Sequence, residues 1–390
     1  MRKITLSFIA LLHAGLALGQ STNNAYKFSE DILHKINNDS TSWKYQVGAT
    51  ELSFSGYYKQ VLEIWDKNGA RAPKYNKIDS SFFNNYSQLN ARDYIIDRSK
   101  NEEIIFINEA HHIPQHRIFT KSLLQGLYDN GYRYLGLEAL SDKDINQRKF
   151  PTIESGYYIQ EPEFGNLVAE ALKIGFVLFG YEATAGKNGK EREIEQARNI
   201  QKFIENAPKG KYIIHCGYAH AFESDYPAWE KALAGRIKEF MKIDPFTIDQ
   251  TMFLEKSDEK NESKFIGLNT NNYPILLRNK DGNIYTGNKA VNQTDIVVIH
   301  PKTKYVNGRP DWSMQGKKKY TLAQHKISQT PLLVLAYRKG EFENNGVACE
   351  VVEITEQKVN RSLFLPKGNY KIVIKNKDYE VVDQFEIQIK

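Results

Sequence analysis

Cysteine is almost absent from this sequence. Only Cys216 and Cys349 occur among its 390 residues, so the chain has no disulfide framework of the kind that stabilises small secreted domains. Cys216 ends an apolar, strand-like run, whereas Cys349 lies far along the chain in what reads as another domain. We therefore expect two separate, packed thiols and no bridge between them.

Several familiar motifs are also missing. The sequence contains no Gly-rich phosphate loop, no G-x-S-x-G elbow, no CxxC pair and no H-E-x-x-H helix. These absences exclude the common nucleotide-binding loop, the serine-hydrolase elbow and the usual zinc-protease arrangement. The net charge of +6 comes from mixed Lys and Glu faces without a basic stripe, so the sequence does not predict nucleic acid binding.

Long apolar runs are lacking after the first twenty residues. Met1-Arg2-Lys3 precedes an apolar stretch over 4–18 that ends in small residues, which is typical of a cleaved export signal over 1–19. This stretch is shorter than the roughly 20 residues that span a bilayer. We expect a protein exported to the periplasm or the extracellular space, with no integral membrane segment after signal cleavage.

What is present is the composition of a globular protein, with 41% hydrophobic and 26% charged residues. Helix-like patterns predict a helical lead-in over 20–95 that packs on the main domain. Strands alternating with helices predict an α/β domain over 96–305. Short strands bounded by turns, without helices between them, predict a small immunoglobulin-like antiparallel β-sandwich over 328–390.

The segment 104–138 carries the strongest signal for function. Four apolar residues over 104–107 predict a buried strand, and Glu109, His111 and His112 follow at once. A helix-like pattern then leads to a second short strand that ends at Glu138. Strand, helix and parallel strand form a unit that places ligands at the carboxyl ends of its strands.

Two further predicted strands also end in ionisable residues. One runs over 176–181 and ends at Glu182, and the other runs over 212–216 and leads to His220. Because parallel strands bring their carboxyl ends to one edge of a sheet, we expect the ionisable side chains to converge there. The fold class predicted is α/β, with a mainly parallel sheet and flanking helices.

A carboxylate beside an imidazole can fix the tautomer of the ring and make it a better base. Glu109 can do this for either His111 or His112, and the sequence does not rank the two. His116 and Arg117 begin the next helix, where a surface role is as reasonable as a role in the site. Histidines and carboxylates can also bind a divalent metal that activates water, so the cofactor stays open.

Four motifs, taken in their order along the chain, resemble those of the erythromycin-esterase and ChaN-like superfamily, which includes the Tiki and TraB proteins. The resemblance covers about residues 100–300 and rests on Asn108-Glu109-Ala110-His111-His112, on Leu137-Glu138-Ala139, on Arg192-Glu193 and on Gly217-Tyr218-Ala219-His220. It implies an α/β fold with a pocket, and it brings Arg192 and Glu193, which composition alone places on a surface, into the site.

The chain departs from the superfamily pattern at two positions. Asn108 stands where the pattern has Gly, and Glu193 stands where it usually has Asp. The histidine register is open as well. His112, three residues after Glu109, fits the esterase branch, whereas His111, two residues after it, is more similar to the haem-uptake branch.

Together the residues and the resemblance predict an exported hydrolase that acts on an ester or amide in a small molecule or peptide. His111 or His112, oriented by Glu109, would activate water, Glu138 and His220 would assist, and Arg192 would steady the oxyanion. One alternative is a haem- or metal-binding protein, with a histidine or one of three tyrosines as ligand: Tyr157, Tyr158 and Tyr218. A second alternative is a metal-dependent peptidase of the Tiki type.

Overall fold

A six-stranded parallel sheet forms the centre of the protein in a computed structural model. The structure describes residues 24–69, 80–263, 265–287, 293–323, 329–356 and 362–390. From edge to edge the sheet contains β10 (Ile296–Val297), β8 (Phe246–Asp249), β2 (Ile104–Glu109), β5 (Lys211–Gly217), β3 (Tyr132–Leu137) and β4 (Val177–Gly180), and all its pairings are parallel. The predicted α/β fold class is confirmed. The predicted signal over 1–19 lies outside the described residues.

Nine α-helices occur in the described parts of the chain. They are α1 (Ser29–Asn38), α2 (Lys44–Phe54), α3 (Tyr58–Asp66), α4 (Ala91–Arg98), α5 (Pro114–Asp129), α6 (Ile145–Arg148), α7 (Pro162–Ile174), α8 (Gly189–Asn206) and α9 (Leu233–Met241).

The central sheet is covered on both faces, because successive residues of a strand point to opposite sides. On β2, Ile105 and Ile107 join the core formed with α5 and α7, whereas Ile104 and Phe106 join the core formed with α8 and α9. A strand buried on both faces reads as a continuous apolar run, which is what β2 shows in the sequence.

Helices α5 and α7 place side chains at the carboxyl edge of the sheet. Helix α5 starts at Pro114, whose missing N–H costs nothing in a first turn. Helix α7 is capped by the Glu161 carboxylate, which accepts a hydrogen bond from the Phe164 N–H. The chain leaves α7 at Gly175 with a φ of 115°, a conformation that glycine adopts without strain.

Antiparallel strands follow the central sheet, as predicted. The strands β14 (Leu332–Arg338), β15 (Glu350–Ile354), β17 (Gly368–Lys375) and β18 (Val381–Ile389) form a four-stranded sheet, and β13 (Lys318–Thr321) pairs with β16 (Ser362–Leu365).

Three further two-stranded pairs lie elsewhere in the chain. They are β1 (Tyr86–Asn90) with β9 (Ile275–Asn279), β6 (Asp225–Tyr226) with β7 (Glu230–Lys231), and β11 (Tyr305–Val306) with β12 (Arg309–Pro310).

The amino-terminal segment packs on one face of the four-stranded sheet. Phe28 and Phe54 share a core with Leu335 and Val373, while the opposite face packs on β16 and β13 residues such as Leu363. The sheet is therefore covered on both sides. The domain limits and the immunoglobulin-like character of this region stay predictions.

Two predictions from the sequence concern the cysteines and membrane-spanning segments. Both cysteines are free and buried, so the prediction of two packed thiols is confirmed. Among the residues that the structure describes, no helix is long and apolar enough to cross a membrane.

Candidate active site

The carboxyl ends of β2, β5 and β3 bring Glu109 and Glu138 to the two sides of Gly217. Glu109 lies opposite Gly217 in the register of β2 and β5. Glu138 follows β3 directly, and its Oε2 accepts a hydrogen bond of 2.7 Å from the Gly217 N–H. The predicted convergence of separate strand ends is therefore present in the structure.

A buried arginine holds Glu109. Arg117, on α5, donates from Nε to Oε2 of Glu109 at 2.7 Å and from Nη2 to Oε1 at 2.6 Å. Its Nη1 donates to the Glu161 carboxylate at 3.0 Å. Burial alone would raise the pKa of Glu109, but the Arg117 guanidinium outweighs it and holds this pKa well below the usual range. Glu109 is thus an ionised carboxylate in the interior.

His111 is the histidine that Glu109 orients. Its Nδ1 lies 3.0 Å from Oε1 of Glu109, and because an ionised carboxylate only accepts, Nδ1 carries the ring proton and Nε2 keeps a lone pair. The ring lies so close to Gly217 that a Cβ there would come within 2.5 Å of Nε2. The side chain is 17% exposed, so part of the ring is open to solvent.

His112 has a different environment from its neighbour. Its ring is buried and stacks on Trp65 with centroids 3.6 Å apart. Its Nδ1 lies 3.1 Å from the Tyr218 hydroxyl, and its Nε2 has no hydrogen-bond partner among the described residues. Burial lowers the pKa of His112 well below the ordinary value. His112 therefore stays neutral and packed.

Tyr218 has an unusual backbone conformation. Its φ is 41°, in the left-handed region that side chains other than glycine and asparagine rarely adopt. The Asn108 amide nitrogen donates to the Tyr218 carbonyl at 2.8 Å and also to Asp249 at 2.8 Å. Asn108, which departs from the superfamily pattern, thus helps to hold this strained turn in place.

A second ionic group surrounds Glu138. Arg192 donates to Oε1 of Glu138 at 2.5 Å and from Nε to Glu182 at 2.9 Å. Burial raises the pKa of Glu138, but the positive charge of His220 and Arg192 outweighs burial and lowers it to about 2. Glu138 is therefore ionised at neutral pH. Because Arg192 is paired with two carboxylates, its charge is already balanced.

His220 closes this group. Its Nδ1 lies 2.8 Å from Oε2 of the buried Glu193, and Arg192 Nη1 lies 3.0 Å from its Nε2. Burial opposes the charged ring, but Glu138 and Glu193 outweigh burial and raise the pKa of His220. Both ring nitrogens therefore have a polar neighbour, Glu193 at Nδ1 and Arg192 at Nε2.

All six predicted site residues are therefore close together: Glu109, His111, His112, Glu138, Arg192 and His220. Tyr158, predicted only as a possible haem ligand, stacks on His111 with centroids 3.9 Å apart. The sequence missed two other contributors: His215 on β5, which lies 3.5 Å from Glu109, and Trp65 from the lead-in. The alternation of β5 could have pointed to His215, because Gly217 and His215 share one face of that strand. Nothing local pointed to Trp65.

A metal site was left open by the sequence. Within the described ranges, no group of three or more His, Cys, Asp or Glu side chains is arranged to hold a metal ion.

Comparisons with known proteins give little more. No family model matches this chain, and no curated protein matches it. The haem-binding protein ChaN of Campylobacter jejuni aligns at 10% identity and a TM-score of 0.32, over 56% of this chain and 97% of that one. The type III effector HopBA1 aligns at 11% identity and a TM-score of 0.31, over 48% of this chain and 96% of that one.

The RRSP toxin effector domain from Vibrio vulnificus aligns at 14% identity and a TM-score of 0.31. That alignment covers 60% of this chain and about half of the toxin domain, 51%. Likenesses at this level do not bear on the function of the present protein, and the superfamily membership stays a prediction.

Proposed function

We propose that this protein is a hydrolase of esters or amides in which His111 is the general base. The observation that carries the proposal is the partly exposed His111 ring, whose Nδ1 is tied to the buried, ionised Glu109. A carboxylate in this position fixes the tautomer, so that the Nε2 lone pair can accept a proton from water. His112, which is buried and neutral, is not the base in this proposal.

In the reaction proposed, a water molecule transfers a proton to Nε2 of His111 while its oxygen attacks the substrate carbonyl carbon. The imidazolium formed lies between two carboxylates, Glu109 and Glu138, which stabilise its charge. His111 then donates the proton to the leaving oxygen or nitrogen as the bond between that atom and the carbonyl carbon breaks. The products are a carboxylic acid and an alcohol or amine.

The oxyanion needs a hydrogen-bond donor that is free to reach it. Arg192 is engaged by Glu138, Glu182 and His220, so we assign it a positioning role. The Tyr158 hydroxyl has no hydrogen-bond partner in the described chain, and burial raises its pKa to about 12. A phenol that keeps its proton beside His111 is the donor we assign to the oxyanion.

A panel of p-nitrophenyl esters and amides, assayed with wild type and His111→Ala, tests this proposal. We expect His111→Ala to lower kcat by about 10²- to 10⁴-fold, the usual contribution of a general base, and to keep the circular dichroism spectrum unchanged. The matched control is His34→Ala, which removes an exposed histidine of α1. Equal turnover in wild type and His111→Ala would refute the assignment.

Haem binding is a second candidate, favoured by the same free hydroxyl of Tyr158 and by the exposure of its neighbour Tyr157. Tyr158 would hold the iron through its phenolate oxygen, as tyrosine does in some haem proteins. When bound, haem would supply one-electron chemistry. Haemin titration should shift the Soret band of haemin. We expect Tyr158→Phe to abolish this shift and the control Tyr273→Phe to preserve it. A spectrum identical to that of free haemin would show that the protein does not bind haem in this way.

A further inference from the structure

Aromatic rings from distant segments stack on the two histidines, the partly exposed His111 and the buried His112. Tyr158 stacks on His111 with an interplanar angle of 14°. Tyr157 contacts Tyr158 with centroids 5.2 Å apart. Trp65, from α3, stacks on the neighbouring His112. We call Trp65, Tyr157 and Tyr158 the aromatic rim.

The polar ends of the aromatic rim make no hydrogen bonds to described residues, although each is a donor. The Tyr157 ring is 46% exposed and is supported from behind by Phe54, at 5.4 Å between centroids. Tyrosine and tryptophan are typical of binding surfaces, because a large apolar ring offers contact area while its polar end stays solvated. An exposed ring fixed by others behind it loses little conformational entropy when a ligand stacks on it.

The charge around the rim restricts the ligand. Glu138 and Glu182 share a single cation, Arg192, and the buried Glu193 lies behind them on His220. Glu51, which lies near Tyr157, is already paired with Lys27 and Lys35. The cations in this group are therefore engaged by carboxylates and are not free to bind an anionic ligand, so an uncharged ligand is favoured.

We propose that the aromatic rim binds an uncharged aryl group of the substrate, so that aryl esters or aryl amides are the preferred substrate class. The aryl ring packs against the Tyr157 and Tyr158 rings, which meet edge to face, and the carbonyl lies on the His111 side of this pair. This inference deepens the proposed hydrolase function and rests on it for the identity of the reacting bond. Recognition of the aryl ring, however, does not require turnover.

Binding can therefore be measured with ligands that cannot be hydrolysed. Methyl 2-naphthyl ketone and methyl cyclohexyl ketone are both uncharged and carry the same carbonyl group, but only the first has an aromatic ring. In calorimetric titrations of wild type we expect the naphthyl ketone to bind about 2- to 10-fold more tightly, since stacking between aromatic rings is favourable beyond the burial of apolar area. Equal affinity for the two ketones would overturn the proposal.

Tyr157→Ala tests the role of the rim itself. We expect this variant to weaken naphthyl ketone binding about 2- to 10-fold and to weaken cyclohexyl ketone binding by a smaller factor, because only the first ketone loses a ring–ring contact. The matched control is Tyr273→Ala, which removes a tyrosine of similar exposure, 40%, in the loop before β9. If Tyr157→Ala and Tyr273→Ala bind the naphthyl ketone equally well, the rim is not the binding site.

Kinetics separate a failure of this inference from a failure of the proposed function. If the protein hydrolyses phenyl acetate and cyclohexyl acetate with equal kcat/KM, it is a hydrolase without an aryl site, and the inference is wrong. If it binds the naphthyl ketone through Tyr157 but hydrolyses neither ester, the aryl site stands and the hydrolase function falls.

Discussion

Histidines buried without charge are a marked feature of this protein at the scale of single residues. His300 donates from Nε2 to Oε1 of the Gln250 side chain at 3.0 Å, while its Nδ1 has no partner in the described chain. Burial lowers the pKa of His300 to about 3 and that of His215 to about 4. Unfolding returns both rings to the ordinary pKa of about 6.5.

We predict that His300 makes the protein less stable in mild acid. Between pH 6.5 and about 3 the unfolded chain binds a proton at this position and the folded chain does not, so the unfolding free energy falls as pH falls. From pH 8 to pH 5 this loss is about 2 kcal/mol for one such histidine. His300→Gln, which keeps a donor toward Gln250, should show a correspondingly smaller loss in urea unfolding at the two pH values.

His34→Gln is the control for this prediction, because His34 is exposed on α1 and should leave the pH dependence of wild type unchanged. Glu161 acts in the opposite direction, since its pKa is raised by burial to about 6. The loss of unfolding free energy between pH 8 and pH 5 is therefore compared between each variant and wild type. The prediction is wrong if His300→Gln loses as much stability between pH 8 and pH 5 as wild type.

The sequence identified which residues lie close together in the site, but it did not show which role each of them has. Glu109 and His111 were predicted, yet His111 and His112 could not be ranked, because the direction of two neighbouring side chains depends on the turn that carries them. Arg117 was left undecided between surface and site. Its burial depends on Glu161, which is 44 residues away in the chain, and no local pattern contains such a pairing.

At the scale of elements, the end of β5 sets the geometry of the site. Gly217 donates its N–H to Glu138 and at the same time leaves the space that the His111 ring occupies. A Cβ at this position would lie 2.5 Å from Cε1 and Nε2 of His111, which is closer than non-bonded carbon atoms approach. The φ of Gly217 is −88°, so the backbone itself would accept alanine.

We predict that Gly217→Ala impairs the site more than it impairs folding. The added methyl group must displace the His111 ring from Glu109, and a misplacement of about 1 Å at a catalytic group can cost about 10²-fold in rate. Ester turnover should fall by that order, while the thermal midpoint changes little. Gly267→Ala is the matched control, since a Cβ there meets no atom within 4 Å; equal turnover in the two variants would contradict the prediction.

Elements with a clear apolar pattern were predicted well, and strands without one were not. The apolar runs of β2, β3, β4 and β5 and the helical pattern of α5 all correspond to predicted elements. Strand β8 was missed, although it pairs with β2 in the middle of the sheet, because four residues after a proline carry too little periodicity. Strands β11, β12 and β13 were not predicted either. β11 and β12 pair only with each other over two residues, which is too short for a pattern, and β13 is paired with the distant strand β16.

At the scale of the whole molecule, the central sheet and the carboxyl-terminal sheet are joined through α7. Asn166 donates to the Cys349 carbonyl at 3.0 Å and accepts from Arg338 at 2.5 Å. Lys317 donates to the buried carboxylate of Glu163 at 2.5 Å. Polar groups paired in this way on both sides of a contact are costly to separate, because each would be left buried without a partner.

This connection predicts that the two sheets unfold together. In hydrogen exchange monitored by mass spectrometry at increasing urea, peptides from β5 and from β14 should lose protection at the same denaturant concentration. Independent unfolding of the two sheets would appear as two separate midpoints, and that result would show that α7 does not couple them.

Lys317→Met tests the coupling at its most buried ion pair. Removing the ammonium leaves Glu163 with Lys121 alone, and breaking a buried pair typically costs about 3–5 kcal/mol. Because Glu163 belongs to α7 and Lys317 precedes β13, the cost should lower the common midpoint of β5 and β14 together. Lys339→Met is the control. It removes an exposed partner of Glu386 and should change the unfolding free energy by about 1 kcal/mol or less. If Lys317→Met lowers the midpoint of β14 alone, this ion pair stabilises only the carboxyl-terminal sheet.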